Sequence, residues 1–328
     1  MDVRHLELLR ELAERGSVTA VAAATHRTPS AVSQQLRTAQ REFGVGLVEP
    51  HGRGVRLTEA GRLLAEAGRD VARVLAEVQA RFDEFRGEPA GLVRVAALPS
   101  AATLLLPGVL AELETTAIRL ECDDVDLPER EYGRLVTDYD IVIGHSLHAG
   151  PPPGADGLVT EPLAREPLDI AMRAGHPLAG GHTVTAGQLV EVEWYGVPVG
   201  YPFDVVRLAV EAAAGQPVTV VQRLRDNRLV EALVARGDRV AVLPRFTTPT
   251  GAGLALREVA ELDTGRHLLA LLRPDRAERL AVRHALASFR RHAAAAAARH
   301  GAGTTSGAGT TSGAGTAGHE PAGAEGAQ

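Results

Sequence analysis

The stretch from Thr28 to Phe43, Thr-Pro-Ser-Ala-Val-Ser-Gln-Gln-Leu-Arg-Thr-Ala-Gln-Arg-Glu-Phe, constrains this chain more than any other. Thr28 can accept a hydrogen bond from a first-turn N–H. Pro29 stands at the first helical position, where a missing N–H costs nothing. Val32, Leu36, Ala39 and Phe43 recur at helical spacing on one face, and Ser30, Ser33, Gln34, Arg37 and Arg41 on another. The first face is built to pack. The second carries hydroxyl, amide and guanidinium groups, which hydrogen-bond base edges and phosphates, and no carboxylate interrupts it. A solvated polar face would look the same, so the neighbouring segments must decide.

They favour DNA. Asp2 caps a helix lined by Leu6, Leu9 and Leu12 that Gly16 ends, and Ser17 caps a second from Val18 to about His26 with small contacts at Val21, Ala22 and Ala24. With the helix after Thr28 this is a helix-turn-helix pattern. Val45 to Leu57 reads as a hairpin with a glycine-bearing tip at His51-Gly52-Arg53-Gly54, and leaves Arg53 and Arg56 either within reach of phosphates or the minor groove or simply solvated. Thr58 then caps a long helix to about Arg86. Its Leu64, Ala67, Val71, Val74, Val78, Phe82 and Phe85 alternate steps of three and four, a stripe that calls for a partner helix in a dimer or for the chain's own second domain. Gly87, Pro89 and Gly91 mark a hinge.

From Leu92 strands and helices alternate, so the rest is an α/β domain. Strands are expected at Leu92 to Leu98, Ile118 to Cys122, Asp140 to Ile143, Leu158 to Glu161, Leu168 to Arg173, Trp194 to Val197, Val218 to Gln222, Arg239 to Leu243 and His267 to Leu272. Helices are expected at Ser100 to Glu114, toward Val136, near Phe203 to Ala214, from Asp226 to Arg236, and from Arg276 to about His292. After Arg299 a Gly-Ala-Gly-Thr-Thr-Ser repeat has no residue able to build a core, and a disordered tail is expected over 299–328.

In 328 residues with a net charge of -6, two or three domains fit and DNA binding needs a local basic surface. Residues 1 to 57 hold eight Arg against six Asp plus Glu. No apolar run reaches membrane-spanning length and no export signal is read at the N-terminus, so a cytoplasmic location is expected. Cys122 is the only cysteine, which excludes a disulfide within the chain and a cysteine-based zinc finger; its apolar neighbours suggest a buried thiol. Neither metal nor cofactor is expected. His-Glu-x-x-His, the phosphate-binding Gly-x-x-x-x-Gly-Lys and Gly-x-Ser-x-Gly are all missing, so the chain does not read as an enzyme. The alternatives are an enzyme or a solute-binding protein carrying a DNA-binding head.

Arg4-His5-Leu6, Gly16-Ser17-Val18-Thr19, Thr28 to Arg37 and Gly52-Arg53-Gly54-Val55-Arg56-Leu57-Thr58-Glu59-Ala60-Gly61 together resemble the LysR-type transcriptional regulators, and the resemblance covers residues 1 to about 290. It implies a winged helix-turn-helix over 1–58, a dimerising linker helix over 59–87, and over 91–292 an effector domain of two α/β lobes similar to periplasmic binding proteins. The family's DNA contacts carry over onto Ser30, Ser33, Gln34, Arg37 and Arg53. Thr25, Val48 and Pro50 depart from the usual pattern, Pro50 standing where the family usually has a wing Arg. The implied partners are double-stranded DNA, a small-molecule effector, a second copy in a homodimer that assembles to a homotetramer, and RNA polymerase. For the effector, Ser100 either caps its helix or, with the free N–H groups there, holds an anion, and the resemblance favours the second role. Thr103 offers another hydroxyl or bonds its own backbone. Pro198, Gly200 and Tyr201 match the loop by which the family's second lobe touches ligand. Tyr201 and Phe203 can pack on an apolar effector or stand as simple core or rim aromatics. His145 is a further candidate, with a solvated loop position as the plainer reading.

Overall fold

The computed structural model describes residues 1–305 except 53, 88 and 252; the expected wing-tip contact of Arg53 and the tail from 306 onward lie outside the described residues. Three helices open the chain: α1 (Val3–Arg15), α2 (Val18–Ala24) and α3 (Pro29–Phe43). Each begins where a side chain takes over an orphan N–H. Asp2 accepts from Arg4 N, Ser17 from Ala20 N, and Thr28 from Ala31 N. Gly16 and Gly44 close α1 and α3 in the left-handed conformation that only glycine adopts without strain. Leu8, Leu9, Leu12, Val21, Ala22, Val32, Leu36 and Ala39 form the core of this head together with Leu47 and Leu57 from the wing.

The wing is the antiparallel pair β1 (Val48–His51) and β2 (Gly54–Leu57), with Val48 opposite Leu57. Gln40 ties α3 to it by accepting from Leu47 N at 2.9 Å. Thr58 caps the long helix α4 (Glu59–Arg86). Its first half packs on the head through Gly61, Ala65 and Gly68, and a Cβ at Gly61 would stand 2.1 Å from the Leu47 carbonyl oxygen and one at Gly68 2.6 Å from that of Leu6. Close backbone approach therefore fixes both glycines. The second half leaves Val74, Leu75, Val78, Phe82 and Phe85 exposed. The predicted stripe thus divides: Leu64 packs against the head core, and the residues from Val74 onward have no cover within the described chain.

The effector domain is one sheet shared by two lobes. The first lobe comprises β3 (Ala90–Ala97), α5 (Pro99–Leu113), β4 (Ala117–Asp124), α6 (Tyr132–Leu135) and β5 (Ile141–Ser146). β6 (Val159–Arg173) then crosses to the second lobe, formed by β7 (Thr183–Val184), α7 (Ala186–Leu189), β8 (Glu193–Gly196), α8 (Asp204–Ala214), β9 (Thr219–Arg223), α9 (Asn227–Val234), β10 (Val240–Pro244) and β11 (Leu254–Val259). β12 (Gly265–Leu272) returns to the first lobe, followed by α10 (Pro274–Ala277) and α11 (Leu280–Thr305). The strand order is β4-β3-β5-β12-β6-β10-β8-β9. Among the described residues three cores pack on it, one around Val95, Ile141, Leu269 and Phe289, one around Ile170, Trp194, Val206 and Val240, and a smaller one around Tyr195, Val230, Val234 and Leu243.

Several expectations are corrected. The two strands expected at Leu158 to Glu161 and Leu168 to Arg173 are one, β6, because its first half pairs with β12 and its second with β10 and β11; Pro162 and Pro167 between them broke the pattern when the sequence was read alone. β11 was not expected, as its alternation is interrupted by Arg257 and Glu258. The last helix runs past His292 and Arg299 to Thr305, carried by the alanine run that seats Ala293 and Ala296 in buried positions. Cys122 is half-buried rather than buried, and the loss of solvent pushes its thiol up to about 11.

Candidate nucleic-acid interface and ligand cleft

α3 presents Ser30, Gln34, Arg37 and Arg41 to solvent, with Ser33 half-exposed beside them, while Val32, Leu36 and Ala39 are buried. The face is pre-ordered by its own hydrogen bonds. Arg37 Nη2 donates to Gln34 Oε1 at 2.7 Å, Arg41 Nη2 to Thr38 Oγ1 at 3.2 Å, and the Ser30 and Thr28 hydroxyls lie 3.0 Å apart. Glu42, the single carboxylate of α3, is held away at 3.1 Å from the Met1 ammonium, so the exposed face carries positive charge alone. On the wing, Arg56 is exposed but its Nε lies 2.6 Å from Glu49 Oε1, so any phosphate would have to displace that carboxylate.

The second site follows from topology. In both lobes the strand order reverses beside the first strand, at β4-β3-β5 and again at β9-β8-β10, and the carboxyl ends of these strands face one another. Such switch points are where open α/β sheets hold ligands. A cavity of about 460 Å³ lies there, lined from the first lobe by Ser100, Thr103, Tyr132 and His145 and from the second by Tyr201, Phe203, Arg225 and Asn227.

A row across three strands runs beneath it, in which Arg266 and His145 line the cavity and Glu166 is buried behind them. Glu166 on β6 stands opposite Arg266 on β12, and His145 on β5 is opposite Leu268, so all three project from the same side of the pleat. Arg266 Nη2 donates to Glu166 Oε2 at 2.6 Å and to Ser100 Oγ at 2.7 Å, and Glu166 also accepts from Phe246 N at 3.0 Å. Arg266 further sits over the Phe203 ring, 5.3 Å from its centre. His145 is 4% exposed and neither ring nitrogen has a hydrogen-bond partner among the described residues; the buried Tyr132 hydroxyl is in the same condition. Burial, reinforced by the Arg266 charge, pulls His145 down to about 3, so the ring is neutral and offers one donor and one acceptor. Burial likewise pushes Tyr132 up to about 12 and raises the Asp126 carboxyl, against the pull of Arg225 and Arg266.

The sequence-predicted residues fall unequally. Ser100, Thr103, His145 and Tyr201 line the cavity. His145 belongs to β5 and is buried, not a solvated loop residue, because the strand runs three residues beyond Ile143 to pair with β12. Thr103 donates to the Pro99 carbonyl at 2.9 Å, leaving only its lone pairs for a ligand. Pro198 and Gly200 do not line the cavity: they make the turn in which Tyr201 N donates to Pro198 O at 3.0 Å, with Gly200 at φ 81°, and Val197, Tyr201, Pro202 and Phe203 are the lining residues. Arg266 and Glu166 were missed. They stand 100 positions apart, and nothing local to either marks the pair.

A DNA-reading head on a long helix, followed by a two-lobed sheet with a ligand-sized cleft, defines a ligand-responsive transcriptional regulator. Residues 3–62 match the bacterial regulatory helix-turn-helix protein, lysR family, and residues 86–294 the LysR substrate binding domain; the chain belongs to the LysR family. It is similar to the DNA-binding transcriptional dual regulator OxyR of Escherichia coli K12, at 26% identity over 252 residues, 76% of this chain and 81% of that one. It is also similar to the RuBisCO operon transcriptional regulator of Allochromatium vinosum, at 28% over 193 residues, 58% of this chain and 62% of the other. In fold it resembles a full-length OxyR variant from Pseudomonas aeruginosa, with a TM-score of 0.56 at 19% identity, covering 88% of this chain and 98% of that one. Members of this family bind DNA through the helix-turn-helix and sense effectors in the substrate-binding domain, and no helix of the described residues is long and apolar enough to cross a membrane.

Proposed function

We propose that the exposed face of α3 enters the major groove of an inverted-repeat promoter site, with Ser30, Ser33 and Gln34 toward base edges and Arg37 on phosphate, while Arg56 supports from the wing. The observation that carries this reading is the carboxylate-free polar face of α3, ordered by the Gln34–Arg37 hydrogen bond. Two heads are joined by the bare half of α4, where Val74, Leu75, Val78, Phe82 and Phe85 await a second copy. Arg37→Ala weakens binding to all sequences, roughly tenfold, and lowers the slope of log affinity against log salt by about one. Gln34→Ala instead shifts base preference and leaves that slope alone. A fluorescence-anisotropy series over salt and operator variants separates the two, and identical behaviour of both variants contradicts these roles.

In the cleft we read a site for a small organic monoanion that carries a second, uncharged polar group. α5 starts there with no capping side chain, so its first N–H groups stand open, and Ser100, which accepts from Arg266, keeps its own hydroxyl proton to donate. Its far side would meet His145 and Tyr132, whose buried polar atoms lack partners, and its body would lie against Leu98, Leu127 and Phe203. Several relatives are named hydrogen peroxide-inducible genes activator, but no thiol lines this cavity. Cys122 lies outside the cavity, and loss of solvent raises its pKa and favours the protonated thiol. A thermal-shift screen with hydroxylated aromatic and aliphatic monocarboxylates, their dicarboxylate analogues and neutral amides tests the class. At 100 Kd a true ligand adds about 2.7 kcal/mol of stability. A response confined to neutral compounds contradicts it.

A further inference from the structure

Where the head meets the effector domain, seven charged side chains close on one another. Arg10, Glu11, Glu14 and Arg15 come from α1; Asp138 precedes β5, and Arg273 and Asp275 follow β12. Arg273 Nη1 lies 2.8 Å from Glu14 Oε2 and 3.6 Å from Glu11, and its Nε and Nη2 donate to Asp275 at 3.0 and 3.1 Å. Arg10 Nη1 donates to Asp275 at 3.2 Å, and Arg15 to Asp138 at 2.9 Å and to the Thr137 carbonyl at 3.1 Å. Arg10 and Arg273 are 7% and 5% exposed, the Arg10 Nε is buried without a partner, and desolvation raises the Glu14 carboxyl despite Arg273. Ion pairs this deep recover little net free energy over their desolvation, yet they demand one geometry, and when they part water solvates every group. Such a contact orients firmly, alongside the packing of α10 on α4.

The cluster stands at one end of two strands whose other ends line the cleft. β5 and β12 are antiparallel neighbours: β12 carries Arg266 at the cleft and runs directly into Arg273, and β5 follows Asp138 and carries His145 at the cleft. The seven steps from 266 to 273 span about 23 Å of extended chain. We propose that this cluster is an ionic latch that fixes the DNA-reading head on its own effector domain, and that β5 and β12 link it to the cleft, so that the state of one biases the other.

The latch goes beyond the functional reading above, and its test needs neither DNA nor effector, so the two fail separately. Spin labels at Ala23→Cys and Thr115→Cys in a Cys122→Ser background, with labelled protomers diluted into unlabelled protein, report the head-to-effector distance by double electron–electron resonance. The latched protein gives one narrow distribution, and Arg273→Ala broadens it toward longer distances. Asp138→Ala does the same to a smaller degree and, with its side chain largely exposed, does not endanger folding. A folded Arg273→Ala protein that keeps the narrow distribution overturns the latch, and if that variant does not fold, the same result with Asp138→Ala overturns it. For the link, amide hydrogen exchange at the cleft ends of β5 and β12 rises several-fold in whichever variant opens; unchanged exchange there overturns the coupling.

Discussion

Arg266→Ala lowers the melting temperature of the effector domain by roughly 10 °C, the effect expected when about 3–5 kcal/mol is lost by stranding a buried charge. The Glu166 side chain is fully buried and that of Arg266 nearly so, and without the guanidinium Glu166 keeps only the Phe246 N–H. The damage lies in the unpaired charge and not in the loss of a stabilising bond, so replacing both residues by methionine restores most of the stability. Scanning calorimetry of the single and double variants measures this. A double variant as unstable as the single one shows that the pair was not the source.

Val78→Asp together with Phe82→Asp leaves the protomer folded and abolishes the dimer proposed above. Both side chains are more than half exposed in the single chain, at 59% and 54%, so a carboxylate at either position meets water until a second copy arrives. Across the α4 pair the same carboxylates would be buried and facing like charge. Joining two heads makes the second binding event intramolecular, so losing the pair costs about 10²–10⁴ in affinity for an inverted repeat and far less for a half-site. Sedimentation velocity and anisotropy on full and half-sites read both effects. A variant that sediments as a dimer contradicts the assignment of this stripe.

The head was legible in the sequence because its information is local. Asp2, Ser17, Thr28 and Thr58 each cap the helix they precede, and the period of Val32, Leu36 and Ala39 separates the packing face of α3 from the free one. The cleft was legible in part, at Ser100, Thr103, His145 and Tyr201, which line the cavity. Its chemistry rests on contacts between distant strands: Glu166 with Arg266, and His145 beside them, meet through the register of β6, β12 and β5, which no spacing in the chain encodes. Pro198 and Gly200 were overread for the opposite reason. Proline and glycine here mark a turn, but which side chain the turn delivers depends on the sheet beneath it.

The account rests on α3 reading DNA, and the most direct measurement is retention of the chain's own upstream region by the purified protein over competitor DNA at moderate ionic strength, with and without metabolite extract. Selective retention of a fragment containing an imperfect inverted repeat, lost progressively as salt rises, is the predicted result. Failure to retain any upstream fragment over competitor under either condition contradicts it.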